Sequence, residues 1–492
     1  MKHGIVLLLI VALLISALAS CQNGESGPKD TAAVSDGTAE TGSGTPDESG
    51  SSTDDLPDDL RFDGKSFRML TYKWGNIGEG WSNFLLVDEP EEGDLLQLAA
   101  YQRNAEIEAR FDVAFELEDT QFAFDNTQSD IAYFLNVIGS SGDDMYDMAV
   151  LQGSDKSTLL TEELLYDIGS LPYINWDKPY YIQNMNDTYA CGSHRYVMFS
   201  DIQYPSISTP AFFVNIGMLN DRGRRVEELY QMVEDGTRTV DAVLTLIDGM
   251  YKDVNNDEKK DVGDEYGYGC HPVGPVYFWP AAGLKGTYMT DTGLAFDYGT
   301  DRAIAAVEKA LTFVENPYVF CSDWAAGTMF QEGRCLFTTW TQELRMIREW
   351  DIKVGILPIP KYDEVQDRYY AVVSDTPLVV PATIGDPDFV GAMLEAFSAG
   401  SYKYMLPAFY TNFMQQKVFQ DDGSRANWER MMGEWSTCEL VRVFCPDSRI
   451  ENFGTASACI QSDFHGYASS WGKQEEALKN ICSEYYQIFL KD

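Results

Sequence analysis

The segment that most constrains the fold is a strand, a helix and a second strand near residue 65. The stretch "KSFRMLTY" (residues 65–72) alternates apolar and polar side chains, which is the period of a β-strand. After a loop, "GDLLQLAAYQRNAEIEARFDVAFE" carries apolar residues at helical spacing and runs into a second strand at "FDVAFE". A strand, helix and strand of this length predict a βαβ unit, whose two strands pair in parallel.

The same pattern returns further along the chain. The stretch "YDMAVLQG" (residues 146–153) follows a helical segment at residues 131–138, so we expect an α/β fold with a mixed, mostly parallel sheet. Ligands of such sheets bind beyond the carboxyl ends of the strands. The chain from residue 61 onward, about 430 residues, is too long for one ordinary domain and predicts two.

Residues 1–20 are predicted to be a lipoprotein signal peptide. Lys2 precedes the apolar run "IVLLLIVALLISAL", which is short for a membrane span and typical of a secretory signal. The following "LASC" resembles the bacterial lipobox, in which the cysteine, here Cys21, receives a diacylglycerol. We therefore expect a mature protein that begins at Cys21 and is tethered outside the cell. An ordinary signal peptide with an incidental cysteine, or an N-terminal anchor helix, is the alternative.

Residues 21–60 are predicted to be a lipid-anchored, disordered linker. From Gln22 to Leu60 the residues are mostly small, polar or acidic, with ten acids and one lysine. Such a segment cannot bury enough apolar surface to offset the entropy of ordering. Its typical end-to-end distance is roughly 35 Å, enough to hold a folded body away from a membrane.

The net charge argues against some partners. The chain carries −41, of which −33 belongs to the part after the linker. This acidity argues against nucleic acid or an anionic membrane surface as a partner, and membrane contact is expected only through the lipid anchor. Aromatic residues make up 13% and include ten tryptophans. Flat rings can stack on sugars, although most aromatic residues pack in cores.

The cysteines leave two alternatives open. An even number of cysteines outside the cytosol permits disulfides, whereas a core of this size needs no cross-links and could keep reduced, buried thiols. Cys438 with Cys445, and Cys321 with Cys335, are the closest pairs in sequence. No C-x-x-C motif is present and histidines are few, so no zinc site is expected. Besides Cys21, the cysteines are Cys191, Cys270, Cys321, Cys335, Cys438, Cys445, Cys459 and Cys482.

A series of motifs resembles a known family. In order, the chain contains "AAYQRNAEIEARFDVAFE", "YDIGSLPYINWDKPYYIQNMND", "FFVNIGMLND", "DGTRTVDAVLTLIDGMYKDVNNDEKKDVGDEYGYG", "VGILPIPKYDEVQDRYY" and "VGAMLEAFSAGSYKYMLPAFY". Their order and spacing resemble the extracellular solute-binding lipoproteins of Gram-positive bacteria, the substrate-capturing subunits of sugar ABC importers. The resemblance covers residues 67 to about 447 and is carried by the series, since each motif alone is weak.

The resemblance implies a two-lobe, type 2 periplasmic-binding-protein fold. Each lobe would be a mixed, mostly parallel sheet flanked by helices, with the ligand cleft between the lobes. We place the first crossing between lobes at residues 208–219, the return at 329–340 and a second departure at 373–384, where Pro377 and Pro381 stiffen the connection. Lobe one is then predicted to comprise residues 61–210 and 328–375, and lobe two residues 211–327 and 376–492.

The stretch "DVNNDEKKDVGDEYGYG" resembles a calcium-binding loop. Such loops place oxygen ligands at positions 1, 3, 5, 7, 9 and 12. Position 6 is Glu258 instead of the usual turn glycine, and position 12 is an aspartate instead of a glutamate. The alternatives are a structural Ca²⁺ site, which some relatives hold in a loop of this type, and an acidic surface turn. The predicted ligands are Asp253, Asn255, Asp257, the carbonyl of Lys259, Asp261 and Asp264.

Candidate ligand-binding residues lie near predicted strand ends. Trp74 and Trp81 belong to a glycine-rich loop after the first strand, and Trp340 ends a strand ahead of a helix. The resemblance puts Trp279 on the facing lobe. Each tryptophan could instead pack in a core, and the acids could lie on the surface. The polar candidates are Asp201, Tyr204, Glu343 and Arg345.

Three functions fit these observations. The first is capture of a carbohydrate, expected to be an oligosaccharide, by a monomeric protein that delivers it to the permease subunits of an ABC importer. The second is the ligand-binding part of a membrane sensor, and the third a secreted glycoside hydrolase with paired carboxylates. No G-x-S-x-G, H-E-x-x-H or Walker motif supports an enzyme. We therefore expect a binding protein without a catalytic site.

Overall fold

The structure is a computed structural model, and all residues that it describes lie in one compact unit, 51–492. The described residues are 54–74, 82–122, 134–151, 159–160, 162–190, 192–203, 210–290, 293–322, 324–340, 347, 350–372, 377–409, 419–433, 435–436, 452–461 and 465–489. Cys21, the signal peptide and nearly all of the predicted linker lie outside them.

The strands form two main sheets and two small ones. The strands are β1 (Lys65–Trp74), β2 (Val113–Phe122), β3 (Met148–Val150), β4 (Ala211–Asn215), β5 (Tyr266–Cys270), β6 (Thr287–Thr290), β7 (Gly293–Phe296), β8 (Val319–Cys321), β9 (Cys335–Trp340), β10 (Val354–Leu357), β11 (Ala371–Val372), β12 (Leu378–Val379) and β13 (Trp435–Ser436).

Helices flank both main sheets. The α-helices are α1 (Ser82–Leu85), α2 (Leu95–Phe111), α3 (Gln183–Thr188), α4 (Ile216–Asp221), α5 (Val226–Glu234), α6 (Val240–Leu246), α7 (Phe278–Ala281), α8 (Asp301–Val314), α9 (Trp324–Gln331), α10 (Pro387–Gly400), α11 (Asp422–Gly433), α12 (Asn452–Gln461) and α13 (Tyr467–Phe489). Short 3₁₀ helices at Ile168–Ser170 and Gly274–Tyr277, and π-helical turns at Leu135–Gly139 and Ser401–Met405, complete the described helices.

Lobe one is built on the sheet of order β12-β3-β1-β2. Strands β1, β2 and β3 are parallel to one another, whereas β12 is antiparallel to β3. The βαβ unit predicted from the sequence is therefore present as β1, α2 and β2. Helix α2 starts at an Asp94 cap that accepts the N–H groups of Leu96 and Gln97. It ends where Asp112 adopts a left-handed backbone (φ 52°).

A buried arginine joins the helices of lobe one to the segment after β1. Arg103 is fully buried on α2 and donates hydrogen bonds to the carbonyl oxygens of Phe84 and Leu85 and to the hydroxyl of Ser401. Its guanidinium stacks on the ring of Phe397, 4.0 Å from the centroid. Burial lowers the pKa of Arg103 to about 9. These contacts hold α1 against α2.

Lobe two is built on the sheet of order β10-β4-β9-β5-β8. Strands β9, β5 and β8 are parallel, and β4 runs antiparallel to both β9 and β10. The strands β10, β9, β5 and β8 therefore end at one edge of the sheet, and β4 begins there. Helix α11 packs on β10 and α5, while α12 and α13 pack on α8. The two sheets with their helices confirm the predicted two-lobe α/β fold.

The order in which the chain visits the lobes differs from the prediction. Residues 328–375 were predicted in lobe one, but β9 and β10 lie in the sheet of lobe two on either side of β4. Residues 376–492 were predicted in lobe two, but β12 pairs with β3 and α10 packs on α2, which places 377–409 in lobe one. The chain returns to lobe two with α11. The stretch at 373–384 is thus a crossing, but it leads from lobe two to lobe one, whereas the prediction was a passage from lobe one to lobe two.

The start of the described chain is attached to lobe one. The Asp54 carboxylate accepts two hydrogen bonds from the Arg110 guanidinium, at 2.7 and 2.9 Å. Asp55 accepts from Lys178 at 2.6 Å, and the side chain of Leu56 is buried in the core of lobe one. The last residues of the predicted linker are therefore part of the folded body.

Among the described residues, none of the helices has both the length and the apolar character that a membrane span requires.

Candidate ligand-binding site

The carboxyl edges of both sheets lie where the chain crosses between the lobes. In lobe two, β4 begins at Ala211, beside Trp340 at the end of β9. In lobe one, β12 begins at Leu378, beside Val150 at the end of β3. The crossings at 204–209 and 373–376 lead directly into these two strands. Since α/β sheets bind ligands beyond their carboxyl ends, the space between the two edges is the candidate ligand site.

Two of the predicted tryptophans end strands at these edges. Trp74 is the last residue of β1 in lobe one, and Trp340 is the last residue of β9 in lobe two. The side chains of both residues lie outside the described part of the structure. Trp81, Tyr204, Glu343 and Arg345 lie outside it altogether. Their roles as ligand-binding residues stay predictions.

A buried polar layer lies beneath the edge of lobe two. The Tyr268 hydroxyl on β5 donates to the Thr339 hydroxyl on β9 at 2.9 Å, and both side chains are buried. The Cys270 thiol lies 3.0 Å from the Tyr268 hydroxyl and 2.9 Å from the His271 carbonyl oxygen. Burial raises the pKa of Tyr268 well above its ordinary value. This layer joins the ends of two neighbouring strands and gives the edge a fixed shape.

The structure does not place Trp279 as an exposed platform for a sugar. Its side chain is completely buried in the core of lobe two and stacks on Tyr298. A platform has to be accessible to the ligand before binding, whereas Trp279 is covered by the helices around α7 and α8. The resemblance implied only the lobe that carries Trp279, which is correct, but the 3₁₀ turn Gly274–Tyr277 and α7 direct the ring into the core.

Asp201 lies in lobe one, directly before the first crossing, but it is buried. The backbone N–H of Asp201 donates to the carbonyl oxygen of Tyr180, and no described residue hydrogen-bonds the carboxylate Oδ2. Burial raises the pKa of the carboxyl well above its ordinary value. The negative charge of Asp201 in turn raises the pKa of Tyr402, after the larger effect of burial on that tyrosine. Asp201 is therefore an interior acid beside the crossing, not an open surface residue.

Sequence reasoning missed Arg238, which lies at the same edge of lobe two. The guanidinium donates to the carbonyl oxygen of Pro358, just after β10, and stacks on Phe212 at 4.5 Å from the ring centroid. Burial lowers the pKa of Arg238 to about 10. Its Nε and Nη2 have no hydrogen-bond partner among the described residues. The surrounding "DGTRTV" is typical of a surface turn and gave no signal of this burial. Tyr268 and Thr339 could have been found, since they lie near the ends of predicted strands.

The predicted calcium loop takes its turn without a glycine. Asn256 and Glu258, at positions 4 and 6, adopt left-handed backbones with φ of 58° and 60°. The Asp253 carboxylate accepts the N–H groups of both residues, at 2.6 and 3.0 Å. A non-glycine residue in this region is strained, so these hydrogen bonds hold the turn in place. The absence of glycine therefore does not prevent the backbone that a calcium loop needs.

The carboxylates of this loop bind backbone N–H groups. The buried Asp264 accepts from Val254 N–H at 3.2 Å and from the Tyr251 hydroxyl at 3.2 Å. Asp261 Oδ1 accepts from Gly263 N–H at 2.6 Å. Across the described ranges, no three His, Cys, Asp or Glu side chains converge as a metal-binding group. Calcium binding would therefore require these carboxylates to leave their N–H partners and turn toward a common centre.

A shallow pocket on lobe one lies between α2 and the π-helical turn at Ser401–Met405. Its charged groups are paired, with Arg110 bound to Asp54 and Lys403 bound to Glu106, each at 2.7 Å. The pocket is remote from the carboxyl edges of the sheets. We therefore assign the ligand to the space between the edges.

The arrangement of two lobes is the fold of ABC-transporter solute-binding proteins. A cyclo/maltodextrin-binding protein with maltotetraose aligns with a TM-score of 0.54 at 11% identity, over 85% of this chain and 97% of its own. An ABC substrate-binding protein from Listeria monocytogenes with cycloalternan gives 0.52 at 12% identity, over 85% and 99%. UgpB from Mycobacterium tuberculosis with glycerophosphocholine gives 0.52 at 14% identity, over 86% and 99%.

At these identities the similarity establishes the fold and not the ligand. No protein-family model matches the sequence, and no curated protein matches it.

Proposed function

We propose that this protein captures a carbohydrate outside the cell and delivers it to an ABC importer. The observation that carries the proposal is that one crossing enters lobe two at the carboxyl edge of its sheet, at Ala211, and another enters lobe one at the carboxyl edge of its sheet, at Leu378. A ligand between these edges touches both lobes only when the lobes approach each other. That additional contact favours the closed state, as capture requires.

The proposed ligand is an oligosaccharide. Two of the proteins with this fold hold maltotetraose and cycloalternan, and a third holds glycerophosphocholine. Trp74 and Trp340 end strands at the carboxyl edges of the two sheets, and aromatic residues at such positions suit the apolar faces of sugar rings. The tryptophan positions do not favour a glycerophosphodiester, which needs a cationic pocket for its phosphate.

The proposed location is the outer face of the cytoplasmic membrane, with a lipid on Cys21. The supporting feature is the lipobox-like "LASC" before an acidic linker. Labelling cells with a fatty-acid probe should mark the wild-type protein and not the variant Cys21→Ala. Label that persists on the variant would exclude Cys21 as the acylated residue. A membrane sensor with the same fold is the second candidate, and a permease gene beside this one would favour the importer.

A further proposal is structural Ca²⁺ in the loop from Asp253 to Asp264. Its support is the left-handed backbone at Asn256 and Glu258 together with the oxygen-bearing residues at alternate positions. The ion would join the end of the segment after α6 to the start of β5. It would stabilise lobe two and take no part in ligand binding.

The test of the proposed function is a thermal-shift screen followed by calorimetry. The probes are maltotetraose, cycloalternan, a set of other oligosaccharides and glycerophosphocholine. We expect at least one oligosaccharide to raise the melting temperature and to bind with one site per chain. The carbohydrate proposal is wrong if no oligosaccharide binds, and binding of glycerophosphocholine instead would assign a different ligand class to the same fold. Hydrolysis of a bound oligosaccharide would favour the glycoside hydrolase.

A further inference from the structure

Two cysteine thiols face each other at the carboxyl edge of lobe two. Cys270 ends β5 and Cys321 ends β8, and the two residues are register partners in parallel strands. Their Sγ atoms lie 3.8 Å apart. Register partners in neighbouring strands project from the same face of a sheet, so this proximity follows from the strand pairing. Separation along the sequence favoured a different partner for Cys321, since Cys335 is closer to it in the chain than Cys270 is.

Cys335 lies near this pair but packs in a different hydrophobic cluster from Cys270. The N–H groups of Gly267 and Tyr268 both donate to the carbonyl oxygen of Tyr318, which marks a bulge in β5. As a result Tyr266 and Tyr268 pack in different hydrophobic clusters, with Cys335 in the cluster of Tyr266 and Cys270 in that of Tyr268. The pairing on the sheet therefore selects Cys321, and not Cys335, as the neighbour of Cys270.

We propose that Cys270 and Cys321 form a site of reversible oxidation, in which an external disulfide converts the two thiols into a disulfide. Neighbouring strands lie about 4.8 Å apart, inside the range of Cα separations that disulfides span. The Sγ atoms have to move from 3.8 Å to about 2.05 Å. Strand β8 is short and lies at the edge of the sheet, with β5 as its partner, so it can move by this amount.

The reaction is a thiol–disulfide exchange in two steps. The partly exposed Cys321 attacks an external disulfide as the thiolate, forms a mixed disulfide and releases one thiol. The buried Cys270 then attacks the Cys321 sulfur and releases the second thiol. The two cysteines lose two electrons and two protons, and the external disulfide takes them up as two thiols. The hydrogen bond between Cys321 and Cys270, together with burial, raises the pKa of Cys321, so the exchange accelerates as the pH rises.

Oxidation would change the turn that follows β5. In the reduced state the Cys270 thiol lies 2.9 Å from the His271 carbonyl oxygen. It also packs against Gly274 so closely that a Cβ atom there would lie 2.5 Å from the sulfur. A disulfide removes the thiol proton and draws the sulfur toward β8, so it loosens this turn. It also joins two strand ends whose residues are about fifty positions apart, which stabilises the fold by restricting the unfolded chain.

The test starts from the reduced, folded full chain. The protein is incubated with oxidised glutathione at alkaline pH, blocked with N-ethylmaleimide and digested without reductant. We expect mass spectrometry to find the Cys270 and Cys321 peptides joined, and dithiothreitol to separate them. The melting temperature of the oxidised protein should rise by roughly 5 °C or more.

Two serine variants provide the control. Cys321→Ser should abolish both the joined peptide and the rise in melting temperature, whereas Cys335→Ser should retain both. Circular dichroism before oxidation checks that each variant is folded. The proposal is overturned if folded wild-type protein yields Cys270 and Cys321 only as N-ethylmaleimide or glutathione adducts. It is equally overturned if Cys270 is joined to Cys335.

Discussion

Trp279 stacks on Tyr298 in the core of lobe two, with ring centroids 5.6 Å apart and ring planes 15° apart. Trp471 packs on the other side of Tyr298, with centroids 5.5 Å apart. The three rings join α7 and α13 across the segment after β7. Trp279 therefore contributes to the stability of lobe two.

This packing predicts a loss of stability when Trp279 is shortened. Trp279→Ala should lower the free energy of unfolding by about 3–5 kcal/mol, because it leaves a cavity in a closed core. Trp279→Phe should cost clearly less, since it keeps an aromatic ring against Tyr298. Denaturant unfolding followed by circular dichroism measures both changes. An alanine variant that is as stable as the wild type but binds ligand weakly would restore Trp279 to the ligand site.

A change at Trp340 should affect ligand binding instead of the stability of the fold. Its position at the end of β9 predicts a contact with the ligand, so Trp340→Ala should weaken binding by about 1–3 kcal/mol, the scale of a lost aromatic contact. The matched control is Trp471→Phe, which changes a core tryptophan away from the edge and should leave the affinity unchanged. Calorimetry with the oligosaccharide found in the screen measures both variants. Equal affinity of the Trp340 variant and the wild type would contradict this placement.

Calcium in the loop after α6 predicts a response to chelation. Removing the ion should lower the melting temperature, because an ion that binds only the folded state stabilises that state. The stabilisation is about 2.7 kcal/mol when the free Ca²⁺ concentration is a hundred times the dissociation constant. Elemental analysis should find one Ca²⁺ per chain, less in Asp257→Asn, and no change in Glu258→Gln, whose side chain is not a predicted ligand. The absence of calcium in the wild type would assign the loop to a metal-free acidic turn.

Asp201 predicts a dependence of stability on pH. Its pKa is raised in the folded state above the ordinary 3.8, so the folded protein holds a proton that the unfolded chain releases as the pH rises above that value. The wild type therefore loses stability between pH 3.8 and the raised pKa. Asp201→Asn removes this loss. The melting temperature of the variant relative to the wild type should increase from about pH 4 to about pH 7.5. The same difference at both pH values would rule out this titration.

His465 predicts a change of the same sign as Asp201, but in a higher range of pH. Its ring nitrogens lie 2.8 Å from a Glu308 oxygen and 2.6 Å from a Glu315 oxygen, so it bridges the start of α13 to α8. Hydrogen bonds to Glu315 and then Glu308 raise its pKa to about 9. The bridge is complete below the ordinary value of 6.5 and is lost as the pH rises through about 9.

The variant His465→Gln tests this bridge. It should melt slightly below the wild type at about pH 6, and the two proteins should melt together at about pH 10. Because the bridge is exposed to solvent, high salt should reduce the difference at the lower pH. A difference that is the same at both pH values would assign it to packing instead of charge.

The sequence predicted the elements of the fold better than their pairing. The alternation at residues 65–72 and the helical spacing that follows are local signals, and they correctly predicted β1, α2 and β2. Likewise "MFQEGRCLFTTW" contains the end of α9, a turn at Gly333 with φ of 75°, and β9. The sheet that accepts β9 depends on distant residues of β4 and β5, which no local pattern specifies. The assignment of residues 328–375 to lobe one failed for this reason.

The candidate site could be predicted only in outline. The rule that ligands bind at the carboxyl ends of strands identified Trp74 and Trp340, which do end strands at the two edges. The same rule uses the order of elements along the chain alone, so it cannot predict whether a given side chain is buried. It therefore gave no warning that Trp279 and Asp201 point into the interior. Arg238 was missed because an arginine next to glycine and threonine usually lies at the surface.

The attachment of Asp54 to Arg110 has a mechanical consequence. A pull on the chain before Asp54 is resisted by this ion pair and by the buried Leu56, which both belong to lobe one. The pulling force is therefore carried by the contacts of lobe one. It is not transmitted to lobe two through the crossings at 204–209 and 373–376.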